Sequence, residues 1–240
     1  MTPAISIVIP AYNEARRLPP YLGAVRQHMD TCYAGTHEVI VVDDGSRDGL
    51  GSVVEAWQAD WPSLRLLSHP ANRGKGAAVR TGMLAACGER LLFADADGAT
   101  PIAEEARLRA ALDDGADLAV GSRLLPAPGV RRRRALVRGL AGRVFAALAR
   151  WWLHVPVRDT QCGFKMFRRE VARELFEQSC EPGYLFDLEI LALANRRGYR
   201  TAEVPVDWTE VPGGHLSLAR VAPGILLAMW RLRRRLEDGS

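Results

Sequence analysis

Acidic side chains follow three of the apolar segments that the sequence predicts to be strands. Glu14 comes after the first segment, and Asp43 and Asp44 come after the second. Asp95 and Asp97 come after the fourth segment. If these strands are parallel, their carboxyl ends meet at one edge of the sheet, where open α/β sheets bind ligands. Carboxylates that meet there repel one another unless a cation or hydrogen-bond donors lie between them. The pattern therefore indicates a ligand site; the alternative is that these acids cap three unrelated helices.

The fourth segment carries the most specific of these patterns. The apolar run Leu91-Leu92-Phe93-Ala94 leads directly into Asp95-Ala96-Asp97-Gly98. Two carboxylates at a strand end suit a hard divalent cation that also holds phosphate oxygens, and Gly98 allows the backbone to approach a ligand closely. A nucleotide suits the same edge, because its base N–H groups and ribose hydroxyls can donate to carboxylates. The sequence thus favours a cation and a nucleotide here.

The spacing of apolar residues predicts the elements that would position these acids. The predicted strands are Ile5–Pro10, Glu38–Val42, Leu64–Leu67, Arg90–Ala94 and Leu118–Arg123. The predicted helices are Arg16–Met29, one that Asp44 or Ser46 caps, one that ends at Cys87, and Ala103–Leu112. Regular alternation of this kind indicates an α/β fold, with a mostly parallel sheet flanked by helices and right-handed crossovers.

The second half of the chain is less regular. Its predicted segments are a basic amphipathic helix over Ala135–Leu153, a loop at Arg158–Gly163, a strand over Phe164–Phe167, a helix that ends at Glu177, a helix over Leu188–Arg197, a strand over Thr201–Val206 and a helix from Pro223. We interpret residues 1–240 as a single domain, in which the first half forms the sheet and the second half completes the site.

The composition restricts the class of protein. Four cysteines are scattered without Cys-x-x-Cys pairs, which indicates free thiols in a reducing compartment. The predicted first strand begins almost at Met1, so we expect no signal peptide. No apolar run approaches the roughly 20 residues that a membrane-spanning helix needs. These features predict a cytoplasmic protein.

The positive charge is concentrated in one part of the chain. Nine arginines and no acidic residue lie between Leu118 and Arg158, in a chain whose net charge is +4. Such a segment is typical of a surface that binds phosphate, anionic lipid or nucleic acid. Nucleic acid is disfavoured, because the aromatic array on which single-strand binders stack bases is missing from the sequence.

A glycine-rich stretch, Asn72-Arg73-Gly74-Lys75-Gly76, precedes a predicted helix. It is not a P-loop, since Gly76 stands where that motif has serine or threonine. Two interpretations stay open. Lys75 or Arg73 could lie near a phosphate at the helix N-terminus, or the glycines could only allow close packing between strand and helix.

Seven short motifs together resemble the inverting glycosyltransferases of the GT-A fold, and in particular the dolichyl-phosphate β-glucosyltransferase branch. They are Pro10-Ala11-Tyr12-Asn13-Glu14, Val42-Asp43-Asp44-Gly45-Ser46, Asp95-Ala96-Asp97, Gly121-Ser122-Arg123, Asp159-Thr160-Gln161-Cys162-Gly163-Phe164-Lys165, Phe186-Asp187-Leu188-Glu189 and Glu203-Val204-Pro205-Val206-Asp207-Trp208. The resemblance implies a Rossmann-like GT-A sheet, with a nucleotide-sugar-binding half at 1–123 and an acceptor-side half with amphipathic helices at 124–240.

The resemblance also implies roles for single residues. The residues implied to bind the donor's base and ribose are Pro10, Tyr12, Glu14 and Asp43, and Asp44, Lys75, Gln161 and Asp187 are further substrate-binding candidates. Asp97 would be the main ligand of Mg²⁺ or Mn²⁺, with Asp95 near the ribose and the metal. Arg123 would lie near the diphosphate or the acceptor phosphate, and Asp159 would face the reacting centre. The implied substrates are UDP-glucose and a polyprenyl phosphate.

Two departures from the family pattern bear on the substrate and the membrane. Dolichyl-phosphate mannose synthases have a glutamine where Ala99 stands here, which weakens a mannosyl assignment. Eukaryotic members of the glucosyl branch have an N-terminal membrane span, and we expect none in this sequence.

The nature of the acceptor decides whether a general base is needed. A polyprenyl phosphate is already anionic near neutral pH, so the protein would only position it and neutralise charge. A soluble or polysaccharide acceptor with a hydroxyl nucleophile would need a carboxylate base, for which Asp159 and Asp187 are the candidates. A catalytically silent, nucleotide-sugar-binding membrane scaffold is a third possibility.

The basic segment predicts a contact with the membrane surface. Along Ala135–Leu153 apolar residues recur at helical spacing behind the run Arg131–Arg134, and the segment includes Trp151 and Trp152. Such a helix can lie in the interface of an anionic bilayer. We therefore expect a peripheral protein on the cytoplasmic face of the membrane; the alternative is a helix packed on the sheet with its arginines in solvent.

Overall fold

The structure is a computed structural model that describes residues 2–127, 129–130, 132–133, 150, 155–211 and 234. Its strands are β1 (Ile5–Ala11), β2 (His37–Asp43), β3 (Leu64–Ser68), β4 (Arg90–Ala94), β5 (Leu118–Ser122), β6 (Arg132–Arg133), β7 (Phe164–Arg168), β8 (Thr201–Pro205) and β9 (Trp208–Thr209). Its helices are α1 (Leu18–Cys32), α2 (Leu50–Gln58), α3 (Lys75–Ala85), α4 (Glu105–Asp113), α5 (Arg169–Gln178) and α6 (Phe186–Arg196), with a 3₁₀ turn at Ile102–Glu104.

Seven strands form one sheet in the order β3-β2-β1-β4-β7-β5-β8. All neighbouring pairs are parallel except those of β7, which runs antiparallel to both β4 and β5. The carboxyl ends of β1, β2 and β4 therefore lie at one edge, as the sequence predicted. The start of β7 lies at that same edge, because its direction is reversed. The short strands β6 and β9 pair separately.

Helices cover both faces of the sheet, because successive side chains of each strand point to opposite faces. In β4, Leu91 and Phe93 belong to the apolar cluster beneath α3, α5 and α6. Leu92, between them, belongs to the cluster beneath α1, α2 and α4. The result is a three-layer α/β domain with a mostly parallel sheet, and the fold class predicted from the sequence is confirmed.

The predicted elements of the first half lie within a few residues of the observed ones, but one capping prediction is wrong. The N-cap of α2 is Gly49, which has a left-handed backbone, and not Asp44 or Ser46. The loop between β2 and α2 is longer than predicted, so both predicted caps lie before the helix start. Asp48 instead accepts the Leu50 N–H at 3.2 Å.

Several predicted segments lie outside the described residues. These are most of the basic helix over 135–153 and the C-terminal helix from 223. Within the ranges that the structure describes, no helix is both long and apolar enough to cross a membrane.

Candidate active site

A cleft of about 250 Å³ opens at the carboxyl edge of β1 and β4. Its walls come from the residues that follow β1 and β4, from the start of α3 and from the loop before α6. The lining residues are Pro10, Ala11, Tyr12, Glu14, Arg17, Asp44, Asn72, Gly74, Lys75, Ala78, Asp95, Ala96, Asp97, Gly183 and Tyr184. Seven of the predicted site residues therefore line one cleft: Pro10, Tyr12, Glu14, Asp44, Lys75, Asp95 and Asp97.

Lys75 and Asp95 form an ion pair inside the cleft. The Lys75 ammonium lies 2.6 Å from Oδ1 of Asp95 and 5.5 Å from the centre of the Phe93 ring. Burial lowers the pKa of Lys75, but the carboxylates of Asp95 and Asp187 outweigh it, with a smaller contribution from Tyr184, so the pKa is raised. Lys75 is thus a charged side chain inside the cleft, and its contact with a phosphate stays one of the two interpretations that the sequence left open.

Asp97 lies beside Asp95 and has fewer partners. Its Oδ1 accepts the backbone N–H of Ala99 at 3.0 Å. Burial, and then the neighbouring charge of Asp95, raise the pKa of Asp97. A carboxylate whose ionised form is disfavoured in this way would be stabilised by an additional cation.

These two acids fit a divalent cation, although they do not complete its coordination. Among the residues that the structure describes, no group of three or more His, Cys, Asp or Glu side chains could hold a metal. Magnesium is commonly bound through one or two carboxylates, with substrate phosphates and water as its other ligands. Asp95 and Asp97 match that arrangement, and the remaining ligands would come from the donor diphosphate and water.

The loops after β1 and β2 hold each other in place. Asn13, whose φ of 54° is unusual for a residue other than glycine, accepts the Arg47 N–H through its side chain at 2.9 Å. In return its own N–H donates to the Ser46 hydroxyl at 2.9 Å. These reciprocal bonds fix the position of Tyr12 and Glu14 relative to β2.

Glu14 and Asp43 both have protein partners. Glu14 forms a two-point ion pair with Arg17, in which Nε lies 2.6 Å from Oε2. Asp43 is buried, does not line the cleft, and accepts the Ser46 N–H at 2.8 Å. Contact of either residue with a base or ribose stays a prediction.

Asp44 organises the glycine-rich loop. It is buried, pairs with His69 at 2.7 Å, and accepts the backbone N–H groups of Arg73 and Gly74 at 2.9 and 2.8 Å. These bonds lead the chain into α3 and so present Lys75 to the cleft. The structure gives Asp44 this supporting role, and direct binding of substrate stays a prediction.

The packing interpretation of the glycine-rich stretch is confirmed, and the proximity of Lys75 to a phosphate stays a prediction. A Cβ at Gly74 would lie 2.4 Å from the Pro182 carbonyl oxygen, and one at Gly76 would lie 2.3 Å from that of Glu181. The glycines therefore allow the loop before α6 to pack on the start of α3. Lys75, between them, nevertheless points into the cleft.

Asp159 and Arg123 form a tight pair beside β5. Asp159 accepts three hydrogen bonds of 2.8 Å from Arg123, one from its backbone N–H and two from its guanidinium. Burial raises the pKa of Asp159, but the bonds and charge of Arg123 outweigh it, and the net pKa is lowered. The guanidinium also lies 5.6 Å from the ring centre of Trp208. Asp159 is therefore held in its ionised form, and its lowered pKa makes it a weaker base than an ordinary carboxylate.

We expect Asp159→Asn to destabilise the protein by about 1–3 kcal/mol at pH 7, because the charge-assisted bonds to Arg123 are lost. A carboxylate with a lowered folded pKa stabilises above its unfolded pKa of about 3.9 and loses that contribution as the pH falls through the folded value. The difference in free energy of unfolding between Asp159→Asn and the wild type should stay constant from pH 7 to about 5 and become smaller below about pH 4. Urea unfolding across this range measures it.

The control is Asp113→Asn, which breaks an exposed ion pair with Arg90 (2.9 Å). It should change stability by less than about 1 kcal/mol. A difference between Asp159→Asn and wild type that does not narrow with acid would contradict the charge pairing.

The reversed strand β7 brings the Asp159–Gly163 segment against the acids. The Gly163 carbonyl oxygen accepts the Asp95 N–H at 2.9 Å. A Cβ on Gly163 would lie 2.0 Å from Oδ2 of Asp95, so a side chain there would displace the Asp95 carboxylate. Gln161, in the same turn, is exposed, and its predicted contact with substrate stays untested.

Asp187 is buried beneath the cleft rather than in its lining. It pairs with Lys165, which is 1% exposed and also donates to the Cys162 carbonyl oxygen at 2.6 Å. Burial raises the pKa of Asp187 despite its lysine partner. Lys165 had no role in the sequence analysis, yet it ties α6 to the Asp159–Gly163 turn.

Cys162 is buried inside the Asp159–Gly163 segment. Burial raises the pKa of its thiol to about 12, so a thiolate is not formed near neutral pH. The other cysteines are exposed and free, which agrees with the prediction of scattered thiols.

Comparison with known proteins agrees with this geometry. The model of Glycosyl transferase family 2 matches residues 6–176. The dolichyl-phosphate beta-glucosyltransferase of Drosophila melanogaster is 41% identical over 229 residues, which cover 89% of this chain and 69% of that protein. The human protein of the same description is 37% identical over 230 residues, which cover 90% of this chain and 70% of its own.

Solved structures show the same fold at lower identity. Glucosyl-3-phosphoglycerate synthase from Mycobacterium tuberculosis, in complex with Mn²⁺ and UDP-glucose, has a TM-score of 0.68 at 22% identity and covers 95% of this chain and 79% of its own. A mannosyltransferase from Pyrobaculum calidifontis, in complex with GDP-Man and Mn²⁺, has a TM-score of 0.63 at 23% identity, with coverages of 92% and 60%. The chain thus belongs to glycosyl transferase family 2 and is a glycosyltransferase with the GT-A fold.

Proposed function

We propose that this enzyme transfers glucose from UDP-glucose to a polyprenyl phosphate of the dolichyl type, with inversion at the anomeric carbon and with Mg²⁺ or Mn²⁺ as cofactor. The relatives named dolichyl-phosphate beta-glucosyltransferase support the sugar and the acceptor. Ala99, which stands where the mannosyl enzymes of the resemblance have glutamine, supports glucose over mannose.

One observation supports the choice of acceptor: both candidate general bases are engaged by basic side chains. Asp159 has both oxygens bonded to Arg123. Asp187 is buried and paired with Lys165. A general base must reach the proton that it removes. A phosphate acceptor, already an anion near neutral pH, needs no such base.

The residues of the cleft suit a reaction governed by charge. An oxygen of the acceptor phosphate attacks C1 of glucose from the side opposite the diphosphate, the bond from C1 to the diphosphate oxygen breaks, and UDP leaves with that electron pair. Lys75 would hold the donor diphosphate in place, and Arg123 would receive the acceptor phosphate while Asp159 keeps its guanidinium oriented. A divalent cation held by Asp95 and Asp97 would supply Lewis-acid stabilisation of the leaving diphosphate.

Transfer assays that combine a radiolabelled donor, either UDP-glucose or GDP-mannose, with different acceptors test this assignment. With UDP-glucose, we expect labelled lipid product with dolichyl or another polyprenyl phosphate, and none with the corresponding polyprenol or with 3-phosphoglycerate. GDP-mannose should give at least about tenfold less product, because a site that hydrogen-bonds one substrate rejects an analogue that leaves those groups unpaired. A sugar–sugar linkage, or transfer to polyprenol, would overturn the phosphate acceptor.

We also propose that the enzyme docks on a membrane surface through the basic segment, so that the cleft meets a lipid-borne phosphate. This proposal rests on the sequence of residues 131–153, most of which lie outside the described residues. The described chain supplies one neighbouring feature: Arg123 lies beside Trp208, a residue of β9, and β9 pairs with Arg132–Arg133 of the basic segment. An anionic bilayer would attract each arginine near its surface by about 1 kcal/mol.

Co-sedimentation with liposomes measures this docking. The wild type should sediment with vesicles that contain anionic lipid, and increasing salt should release it because the attraction is screened. Replacing Arg131–Arg134 by serine should reduce the sedimenting fraction severalfold. A matched control replaces Arg107 and Arg109 of α4, which are far from the basic segment in sequence, and should not change it. Equal sedimentation of both variants would refute the role of the basic segment.

A further inference from the structure

We propose that Tyr184 contacts the hexose of the donor and determines which sugar the enzyme accepts. This inference rests on the proposed function and adds a residue that neither the motifs nor the comparisons assign. Tyr184 lies on the loop between α5 and α6, and its side chain lines the cleft together with Gly183.

The exposure of Tyr184 is the first observation. Among the residues that the structure describes, the large hydrophobic side chains left exposed are Tyr12 (37%) and Tyr184 (40%). Both line the same cleft. Exposed aromatic surface in a concave site is typical of ligand contact. Since Tyr12 belongs to the motif implied to bind the nucleotide, Tyr184 is the aromatic residue left for another part of the donor.

The loop that carries Tyr184 is anchored from below. Glu189 of α6 accepts hydrogen bonds from the Ser179 hydroxyl at 2.6 Å, from the Cys180 N–H at 3.1 Å and from the Glu181 N–H at 2.9 Å. Glu189 is buried. One carboxylate therefore fixes three consecutive residues ahead of Tyr184, which preorganises the loop as a binding surface.

The same loop is pressed against the start of α3. The Pro182 carbonyl oxygen accepts the Ala77 N–H at 3.1 Å. Gly74 and Gly76 have no room for a side chain against this loop. Tyr184 is thus held relative to Lys75, the residue between those two glycines.

The position of Tyr184 along the cleft distinguishes the sugar from the base. Gly183, the residue before it, packs against the glycines on either side of Lys75. A Cβ at Gly74 would lie 3.6 Å from the Gly183 Cα, and one at Gly76 would lie 2.9 Å from the Gly183 carbonyl oxygen. Lys75 itself is paired with Asp95 at 2.6 Å. Tyr184 therefore lies at the end of the cleft where Lys75, Asp95 and Asp97 would hold the diphosphate, whereas Tyr12 follows β1 at the end implied to hold the base. The part of the donor next to the diphosphate, on the side away from the nucleoside, is the hexose.

An exposed tyrosine can bind a hexose in two ways. Its ring offers an apolar face to the C–H groups of a pyranose, and its hydroxyl can donate to or accept from a sugar hydroxyl. A polar group placed to pair with a substrate hydroxyl discriminates strongly against a sugar that lacks or inverts it. The configuration at a hexose carbon is a feature that this contact can read.

Binding of UDP and UDP-glucose in the presence of Mn²⁺ tests the proposal by calorimetry on the full chain. We expect Tyr184→Ala to weaken the binding of UDP-glucose by about tenfold and the binding of UDP by less than twofold. Tyr12→Ala should weaken both ligands alike, and serves as the matched aromatic control. Tyr184→Phe should keep most of the affinity for UDP-glucose and lose part of the discrimination against UDP-galactose.

The outcomes separate this inference from the proposed function. If the wild type binds both ligands and Tyr184→Ala weakens them equally, or weakens neither, Tyr184 does not contact the hexose and only this inference fails. If the wild type binds GDP-mannose but neither UDP nor UDP-glucose, the proposed donor is wrong and the inference fails with it. Melting curves of each variant show whether a change in affinity reflects lost structure.

Discussion

Asp97→Asn is expected to fold normally and to lose transfer activity by about 10³-fold or more, since a lost metal contact removes several kcal/mol of transition-state stabilisation. The variant keeps the size of the side chain and removes its charge. A neutral amide is a poor ligand for Mg²⁺ or Mn²⁺, so the diphosphate would leave without charge compensation.

The stability of this variant gives a second readout that does not depend on activity. Burial and the neighbouring Asp95 raise the pKa of Asp97, so folding penalises its ionised form relative to the unfolded chain. Removing the charge should therefore leave the melting temperature unchanged or higher in the absence of divalent cations. Adding Mn²⁺ with UDP should raise the melting temperature of the wild type and not that of Asp97→Asn.

Asp60→Asn is the matched control, because Asp60 is an exposed acid paired with Arg26 at 3.1 Å and distant from the cleft lining. Adding Mn²⁺ with UDP should raise the melting temperature of Asp60→Asn as much as that of the wild type. Full turnover by Asp97→Asn in either metal, or an undiminished Mn²⁺ response, would show that Asp97 is not a ligand.

The parallel part of the fold is predictable from local sequence. Each of the strands β1, β2 and β4 contains a run of buried apolar residues, and the acids at or after their ends mark the edge at which the cleft opens. Parallel pairing follows from the intervening helices, because a strand–helix–strand unit returns the chain in the same direction. Hence the sequence could predict that Glu14, Asp95 and Asp97 share one site.

The direction of β7 could not be predicted in this way. Three of its five residues are apolar, and this pattern does not encode the direction of a strand. The direction of β7 depends on the connection between β5 and Phe164, which the pattern of apolar residues does not specify. It also decides that Gly163, rather than the end of the strand at Arg168, meets Asp95.

The hydrogen-bond partners of the acids could not be predicted from the sequence either. Asp43 and Asp44 are adjacent and chemically identical, yet Asp44 holds the loop before α3 while Asp43 bonds within its own turn. Tyr184 follows no strand and belongs to none of the seven motifs, so its place in the cleft emerges only from packing. Its nearest sequence signal was the Phe186-Asp187-Leu188-Glu189 motif, whose Glu189 anchors the loop.

Gly163→Ala is expected to lower transfer activity by about 10²-fold or more, since displacement of a catalytic group by about 1 Å can cost that much. A Cβ at this position would lie 2.0 Å from Oδ2, 2.2 Å from Cγ and 2.5 Å from Oδ1 of Asp95. The backbone at Gly163 is fixed, because its carbonyl oxygen accepts the Asp95 N–H. The carboxylate must therefore move, which separates it from Lys75 and from Asp97.

Gly23→Ala provides a matched control for Gly163→Ala, because its Cβ would meet nothing nearer than Cη2 of Trp57 at 3.6 Å. Gly23 lies inside α1, where alanine is preferred over glycine by up to about 1 kcal/mol. That variant should keep full activity and be slightly more stable. Titration with Mn²⁺ in the presence of UDP should show weaker binding for Gly163→Ala and unchanged binding for Gly23→Ala. If Gly163→Ala instead binds Mn²⁺ and turns over like the wild type, the Asp95 carboxylate does not need its observed position, and the reversed strand β7 does not shape the site.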